Sequence, residues 1–248
     1  MEVHSHSHTP RLKLTHYFWE FLMLFLAIFC GFTAENIREH RIEKKRAEQY
    51  IFSFYSDLKR DTTRISLVMK TDEEKINALQ NIFSCYDSLL NNWKETACLI
   101  EIARKSSTNS AVGFNDGTMQ QLKNAGGFRI LDKEDRDSII NYDNVIKIYK
   151  DFETTIFQQS QDIIRSTFSR LHDFKANKFL YPIQSGKDGS NIEMSIIFKD
   201  DKDLLNEYFN DLFRYRSVIT NQHKRLGDFK AQAIRLLEYF NSKYHFEQ

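Results

Sequence analysis

Residues 51–93 read IFSFYSDLKRDTTRISLVMKTDEEKINALQNIFSCYDSLLNNW, a stretch without glycine or proline in which apolar side chains recur with a seven-residue spacing. One row consists of Ile51, Leu58, Ile65, Leu79, Tyr86 and Trp93, and an offset row of Phe54, Met69, Ile76, Phe83 and Leu90. This spacing predicts the packed seam of an α-helix, interrupted only by Thr62 and Asp72. Thr71 and Glu74 match a capping box, but the phase does not change there. We expect one helix, or two nearly collinear helices, to run to about Trp93.

Two further seams follow along the chain. The second contains Tyr142, Val145, Tyr149, Phe152, Ile156 and Ile163 and then changes face to Phe168, Leu171 and Phe174; the third contains Leu205, Phe209, Leu212, Ile219, Leu226, Phe229, Ala233, Leu237 and Phe240. Each segment would be about 60 Å long as a helix. Only two prolines and eight glycines occur in 248 residues. The sequence therefore predicts an all-α, elongated antiparallel bundle of three long helices in up-down-up order, with Gly227 as a weak point costing about 1 kcal/mol.

Two connections separate the long helices. In residues 95–133 we expect a short helix after Asn115 and Asp116, ended by Gly126 and Gly127, and then Asp132 as the cap of the second long helix. In residues 181–199, Pro182 and two glycines precede MSIIF, a brief strand or docking turn. The GKDG motif at 186–189 has the spacing of a nucleic-acid clamp, but a net charge of +1 provides no basic face, which favours a plain turn and no nucleic-acid partner.

Residues 17–34, YFWEFLMLFLAIFCGFTA, contain Glu20 as the only charge. As a helix they would reach about 27 Å, near the roughly 30 Å hydrocarbon core of a bilayer, with aromatic residues at one interface. A cleaved signal peptide, a lipoprotein signal at Cys30 and a buried core helix are the alternatives. The run ends in Phe32, Thr33 and Ala34, and the bulky Phe29 precedes Cys30, which favours a retained anchor. We divide the chain into a His-rich tail (1–16), a transmembrane helix (17–34), a charged juxtamembrane helix (35–50) and a helical bundle domain (51–248) with an insertion at about 95–133.

Basic residues flanking the span predict its orientation. Arg11 and Lys13 precede it, whereas Arg38, Arg41, Lys44, Lys45 and Arg46 follow it, which places the C-terminal part in the cytoplasm. The cysteines give no information about the orientation. Cys85 and Cys98 would be about 20 Å apart on an unbroken helix, which is too far for a disulfide.

The juxtamembrane helix carries an acidic stripe of Glu35, Glu39 and Glu43 beside a basic stripe of Arg38, Arg41 and Lys45. A solvated helix explains both stripes. Contact of the bases with lipid headgroups and pairing of two copies remain alternatives.

The opening MEVHSHSHTP, followed by HYFWEFLMLFLAIFCGFTAENIREHRIEKKRAEQYI, resembles that of a family of Bacteroidota single-pass membrane proteins of unknown function. A weaker similarity covers residues 119–142, where Leu122, Gly126 or Gly127, Ile130 with Leu131, and Tyr142 resemble the second block of that family. The resemblance implies an inner-membrane protein and a native His-rich start, and it brings no catalytic residues.

Few residues suggest chemistry. His4, His6 and His8, with His16 nearer the span, could bind a soft divalent metal, but no carboxylate or thiol completes a fixed geometry, which favours a solvated tail. No histidine has a glutamate three residues before it, and HExxH, CxxC, Walker A and dinucleotide motifs are absent. His172 and His223 are typical of helix-surface or satisfied core residues. We therefore predict no catalytic, cofactor-binding or metal-binding residue and no cofactor.

Three functions remain in view. The leading hypothesis is a non-enzymatic scaffold or interaction module at the lipid bilayer, with a second copy or another membrane protein as partner. The alternative is a sensor-like bundle that binds a small ligand, for which Tyr142, Tyr149, Tyr208 and Tyr215 form a candidate pocket. An enzyme is the least favoured reading, because spacing brings no nucleophile, base and orienting group together.

Overall fold

The structure, a computed structural model, describes residues 14–92, 97–174 and 198–246. Helix α1 spans Leu14–Ala78, α2 spans Ile82–Asn91, α3 spans Ala97–Ser106 and α4 spans Gly117–Asn124. After a 3₁₀ turn at Gly127–Arg129 come α5 at Lys133–Phe152, a π turn at Glu153–Phe157, α6 at Gln158–Leu171 and α7 at Lys202–Tyr244. The predicted all-α bundle of three long helical segments is confirmed.

Helix α1 begins as a free apolar rod and ends as a core helix. An 18-residue window near its N-terminus has a mean hydropathy of 1.7 and no buried residue, so this part is long and apolar enough to cross a membrane. From Ile51 onward, one face is buried against α7 and α3. The helix continues through Thr71, as the heptad phase predicted, and ends where Leu79 N hydrogen-bonds both Lys75 O and Ile76 O.

The break after Ala78 changes the face that α2 buries. Leu79, Ile82, Cys85 and Leu89 are buried, whereas Phe83 is 65% exposed. The predicted core positions Phe83 and Leu90 are therefore wrong, because the chain turns at residues 79–81 and α2 starts in a new phase. Trp93 lies outside the described residues.

The π turn likewise changes which face of the helix is buried in the second seam. It inserts one residue into the helical spacing, so Phe157 and Ile164 are buried in place of Ile156 and Ile163. The prediction that Ile156 and Ile163 belong to the core is wrong for this reason. Phe174 is also exposed, because α6 ends at Leu171.

The order of helix directions is up-up-down, not the predicted up-down-up. At one end of the bundle, which we call the near end, the ring of Phe54 lies 5.9 Å from the rings of both Tyr142 and Phe240. At the far end, the Nζ atom of Lys75 lies 5.4 Å from the Phe157 ring and 6.0 Å from the Tyr215 ring. Helices α1 and α5–α6 are therefore parallel, and α7 alone runs back.

The path of residues 107–116, which we call the crossover segment, explains this order of helix directions. Thr108 lies beside Lys75 at the far end and Asn115 beside Asp57 at the near end. An extended chain covers about 3.3 Å per residue, so these seven steps return the chain along some 23 Å of α1 before α5 begins.

The cysteine pair corrects a second expectation. Cys85 and Cys98 form a disulfide with their Cα atoms 5.9 Å apart. The predicted separation assumed one unbroken helix, whereas α2 ends at Asn91 and α3 packs separately against α1, where Lys105 Nζ lies 2.7 Å from Glu74 Oε2. The expectation that no disulfide forms is therefore wrong.

The connections agree in outline with the sequence. Helix α4 follows Asn115 and Asp116, and Gly126 after it has a φ of 65°, which suits glycine. Asp132 occupies the N-cap position of α5, but its carboxylate lies 3.2 Å from Lys243 Nζ and does not cap the helix. Of the MSIIF stretch only Phe198 is described, in an isolated antiparallel bridge with His172; Pro182 and the GKDG motif lie outside the described residues.

Candidate functional site

The crossover segment is threaded into the bundle. Ser110, Val112 and Phe114 are buried, whereas Ala111 and Gly113 between them are exposed, as expected for an extended chain with one face inward. Backbone N–H and C=O groups that enter a core must find hydrogen-bond partners, because leaving them unpaired costs about 1–3 kcal/mol each. The three long helical segments supply those partners.

At the far end the partners are a lysine and two glutamines. Lys75 Nζ donates to Thr108 O and to Ser110 Oγ, each at 2.7 Å. Gln161 Nε2 donates to Thr108 O at 2.8 Å, and Gln222 Nε2 donates to Ser110 O at 3.1 Å. One side chain from each long segment thus holds the start of the crossover.

Toward the near end the partners are carboxylates. Glu153 Oε1 accepts from Val112 N at 3.1 Å, and Asp61 Oδ1 accepts from Asn115 N at 3.1 Å. Asp57 Oδ1 accepts from Asn115 Nδ2 at 2.7 Å. Buried polar residues in the helix seams therefore have a structural task, which is to satisfy the backbone and side chains of the crossover.

Burial shifts the ionisation of the far-end groups. Burial lowers the pKa of Lys75 to about 8, opposed by the charge of Asp72. Burial likewise raises the pKa of Asp72 to about 6. Lys75 is fully buried and its ammonium is covered by the rings of Phe157 and Tyr215. These groups are enclosed by the protein and presented to no groove.

A cavity of about 110 Å³ lies beside the near half of the crossover. Helix α1 contributes Phe54, Asp57, Leu58 and Asp61; residues 115–123 contribute Asn115, Asp116, Met119, Gln120 and Lys123; and α5 contributes Tyr142, Asp143, Ile146, Lys147 and Lys150. Burial raises the pKa of Asp61 to about 6. The cavity combines apolar walls with several charged groups.

The tyrosines of the predicted pocket are all buried but do not converge on one site. Tyr142 and Tyr149 pack on Phe229, Tyr208 packs on Phe168, and Tyr215 packs on Phe157. Only Tyr142 lines the cavity described above. The predicted four-tyrosine pocket is therefore wrong, because these side chains fill successive layers of the core.

The described histidines form no site. His16 lies 4.0 Å from Glu20 on the exposed part of α1. His172 stacks on Phe168, and its Nδ1 lies 2.7 Å from Phe168 O. His223 is half-buried on α7. In residues 14–92, 97–174 and 198–246 no three His, Cys, Asp or Glu side chains are grouped to hold a metal ion. His4, His6 and His8 lie outside these ranges.

Comparison of the chain with known protein families, with characterised proteins and with solved structures finds no match. The resemblance to a Bacteroidota membrane protein family therefore stays a prediction.

Sequence reasoning missed the polar seam residues. Asp61, Asp72 and Lys75 share a helix face with Leu58, Ile65 and Leu79, so polar side chains at heptad core positions were a readable signal. The seven-residue spacing instead predicts Asp72 as an interruption of the seam. The crossover that these residues hold is only about ten residues long, too short for its alternation of buried and exposed positions to be recognised in the sequence.

Proposed function

We propose that this protein is a non-enzymatic, single-pass membrane protein whose helical bundle holds or assembles partners. The observation that carries the proposal is the continuity of α1. The same unbroken helix contains the exposed apolar residues 17–34 and the buried seam that begins at Ile51. About 25 Å of helix separates the two, so the bundle would stand at a fixed distance from a bilayer.

A continuous helix also fixes the direction of the bundle relative to the span. Helix α7 packs against the part of α1 beyond Ile51, from Phe240 on Phe54 to Tyr215 beside Lys75, which stiffens this part of the rod. The proposed partners are the lipid bilayer and either a second copy or another membrane protein, in a bacterial inner membrane as the family resemblance implies. No nucleic acid is proposed, given the net charge of +1.

The roles of the perturbed ionisable groups support a non-enzymatic function. Lys75 donates hydrogen bonds to the crossover segment, and Asp61 accepts one from Asn115 N–H there. A catalytic lysine needs access to substrate, whereas Lys75 is covered by Phe157 and Tyr215.

Crosslinking in native membranes followed by mass measurement tests the proposal. We expect a crosslinked species heavier than the 29.5 kDa chain, containing a second copy or a reproducible partner. Membranes from cells that lack the protein serve as the control for unspecific capture. Recovery of the monomer alone, with no co-purifying protein, would contradict the proposal.

The proposal places the bundle outside the cytoplasm, opposite to the side that the basic residues predict. Disulfides persist in oxidising compartments and are rare in the cytosol, and Cys85–Cys98 is such a bond. The basic residues after the span are a weaker guide here, because glutamates interleave with them and Arg38 is hydrogen-bonded to Glu35. We give the disulfide more weight.

Labelling of intact cells, after permeabilisation of any outer membrane, tests this orientation. In a Cys30→Ser background, a membrane-impermeant maleimide should label Thr220→Cys, an exposed α7 position, without lysis. The matched control is Ser7→Cys in the tail, which should be labelled only after lysis. The reverse pattern would restore the cytoplasmic orientation.

A second candidate function is the binding of a small ligand by the bundle. The observation that favours it is the cavity of about 110 Å³, which is lined by polar and apolar side chains. A dry, filled core would have left no room for a ligand. Ligand binding and partner binding are compatible, since the cavity lies between α1, α4 and α5.

A further inference from the structure

The charges around the cavity are unequally compensated. On its rim, Asp143 is paired with Lys123 at 2.8 Å and Lys147 at 2.9 Å. Lys150 approaches Asp116 at 3.6 Å. The rim lysines are therefore already engaged by rim carboxylates.

Asp57, deeper in the cavity, is also compensated. Its carboxylate accepts hydrogen bonds from Asn115 Nδ2 at 2.7 Å and Thr118 Oγ1 at 2.5 Å. Arg60, whose side chain is 60% exposed, forms an ion pair with the same carboxylate. A cationic partner and two further donors therefore already surround this carboxylate.

Asp61 differs from these groups. It is 1% exposed and accepts a hydrogen bond from the backbone N–H of Asn115. Within the described residues no basic side chain lies within 4 Å of it to form an ion pair; the nearby Arg64 donates instead to Gly113 O. Burying an anion without a cationic partner costs free energy. Among the carboxylates of the cavity, Asp61 would therefore gain most from a bound positive charge.

We infer that the cavity binds a small organic cation carrying a primary ammonium group, with the ammonium on Asp61 and its apolar part against Phe54, Leu58 and Ile146. An ammonium has donors for the free acceptor capacity of the carboxylate, and the aromatic and aliphatic walls suit a short hydrocarbon chain. The inference deepens the second proposed function, because it names the ligand class for that cavity.

The volume of the cavity and the charges at its rim restrict the class of ligand further. A cavity of about 110 Å³ accommodates a compound of a few heavy atoms and excludes a peptide or a nucleotide. The rim lysines are paired with Asp143 and Asp116, so a carboxylate on the ligand would have to compete for them. A simple alkylammonium therefore fits better than an amino acid.

Ligand-observed NMR on the full-length protein in nanodiscs tests the inference, with ethylammonium, glycine and acetate as probes. Small ligands bind weakly, so the expected dissociation constant for ethylammonium is on the order of 1 mM. Asp61→Asn should weaken this binding by about tenfold or more. The matched control Asp137→Asn, the same change at an exposed position of α5 that does not line the cavity, should leave binding within about twofold.

The possible results distinguish failure of this inference from failure of the proposed ligand-binding function. Binding of ethylammonium that is lost in Asp61→Asn and kept in Asp137→Asn supports the inference. Tighter binding of glycine or acetate, or equal binding by Asp61→Asn, overturns the ligand class but leaves a ligand-binding bundle. Failure of every probe to bind the wild-type protein overturns both. Circular dichroism of each variant verifies that the fold is intact, which is expected because asparagine keeps an acceptor for Asn115 N–H.

Discussion

The Nε2 atom of Gln222 lies 3.4 Å from Oδ1 of Asp72, which joins two fully buried side chains that are 150 positions apart in the sequence. The other oxygen of each side chain, Oδ2 of Asp72 and Oε1 of Gln222, is buried and has no donor among the described residues. Protonation of Asp72 would turn one of these unpaired acceptors into a donor. This agrees with the pKa of Asp72, which burial raises to about 6.

The first prediction concerns the pH dependence of stability. Because burial raises the folded-state pKa of Asp72 from the usual 3.8 to about 6, the folded protein binds this proton more tightly than the unfolded chain does. The free energy of unfolding should therefore rise as the pH falls from 7 to 5, on the order of 1–2 kcal/mol from this group. Asp61, with a pKa also raised to about 6, should contribute in the same direction.

Asp72→Asn is the informative variant. It should reduce the rise between pH 7 and pH 5, measured by denaturant unfolding in detergent, because one of the carboxyl groups whose pKa burial raises is gone. The control is the same change at Asp137, whose side chain is about half exposed. An unchanged rise in Asp72→Asn would mean that another group binds the proton.

The second prediction concerns Gly227 in α7. A Cβ atom built there meets only the Cε atom of Met69, at 3.7 Å, which is an ordinary contact. Gly227→Ala should raise the free energy of unfolding by about 0.5–1 kcal/mol, because alanine loses less backbone entropy in a helix. Thermal unfolding followed by circular dichroism measures this.

Gly127 should respond oppositely and serves as the contrast. A Cβ atom there would lie 2.9 Å from Cδ2 and 3.1 Å from Cα of Leu122, so the backbone itself would have to move. Gly127→Ala should cost about 1–3 kcal/mol, as overpacking does. If both variants were stabilising, the close approach of the 3₁₀ turn to α4 would not exist in solution.

The sequence was most informative where a helix was both long and regular. In α7, positions such as Leu205, Leu212, Ile219 and Leu226 are buried as their spacing predicted, since no insertion disturbs the phase. In the second seam the same logic failed after Phe152. A π turn changes the residue count per turn but leaves no distinctive residue type behind, so periodicity alone could not locate it.

The spacing of apolar residues could not predict the directions of the helices, for a different reason. A seam reports which face is buried and says nothing about which neighbour covers it or in which direction that neighbour runs. The direction of α5 depends on the crossover segment, whose extended path is held by side chains such as Lys75 and Gln161. Those polar residues were visible on the seam faces, but their partners lie more than thirty positions away.

The third prediction follows from the π turn. Thr155 is exposed within it, and deleting this residue would change the spacing from Tyr149 to Phe157 from eight positions to the seven that a regular helix packs. The deletion should leave the fold intact and shift the free energy of unfolding by less than about 1 kcal/mol. Deletion of the exposed Thr220 in α7 is the matched control. It should be severely destabilising, because it rotates all later seam residues by about 100°.

The last prediction concerns the bond between Cys85 and Cys98, which encloses a separation of 13 residues. A crosslink over a loop of about this length stabilises a fold by roughly 2–3 kcal/mol in the chain-entropy account. The double variant Cys85→Ser/Cys98→Ser should lower the free energy of unfolding by that amount, and its unfolding should be insensitive to dithiothreitol. Wild type in dithiothreitol should approach the double variant.

Cys30→Ser keeps the disulfide and should retain the full response to the reductant, since Cys30 is a free, exposed thiol. Equal unfolding curves for wild type with and without dithiothreitol would mean that α2 and α3 are held together by packing alone, and the argument for an oxidising compartment would lose its basis.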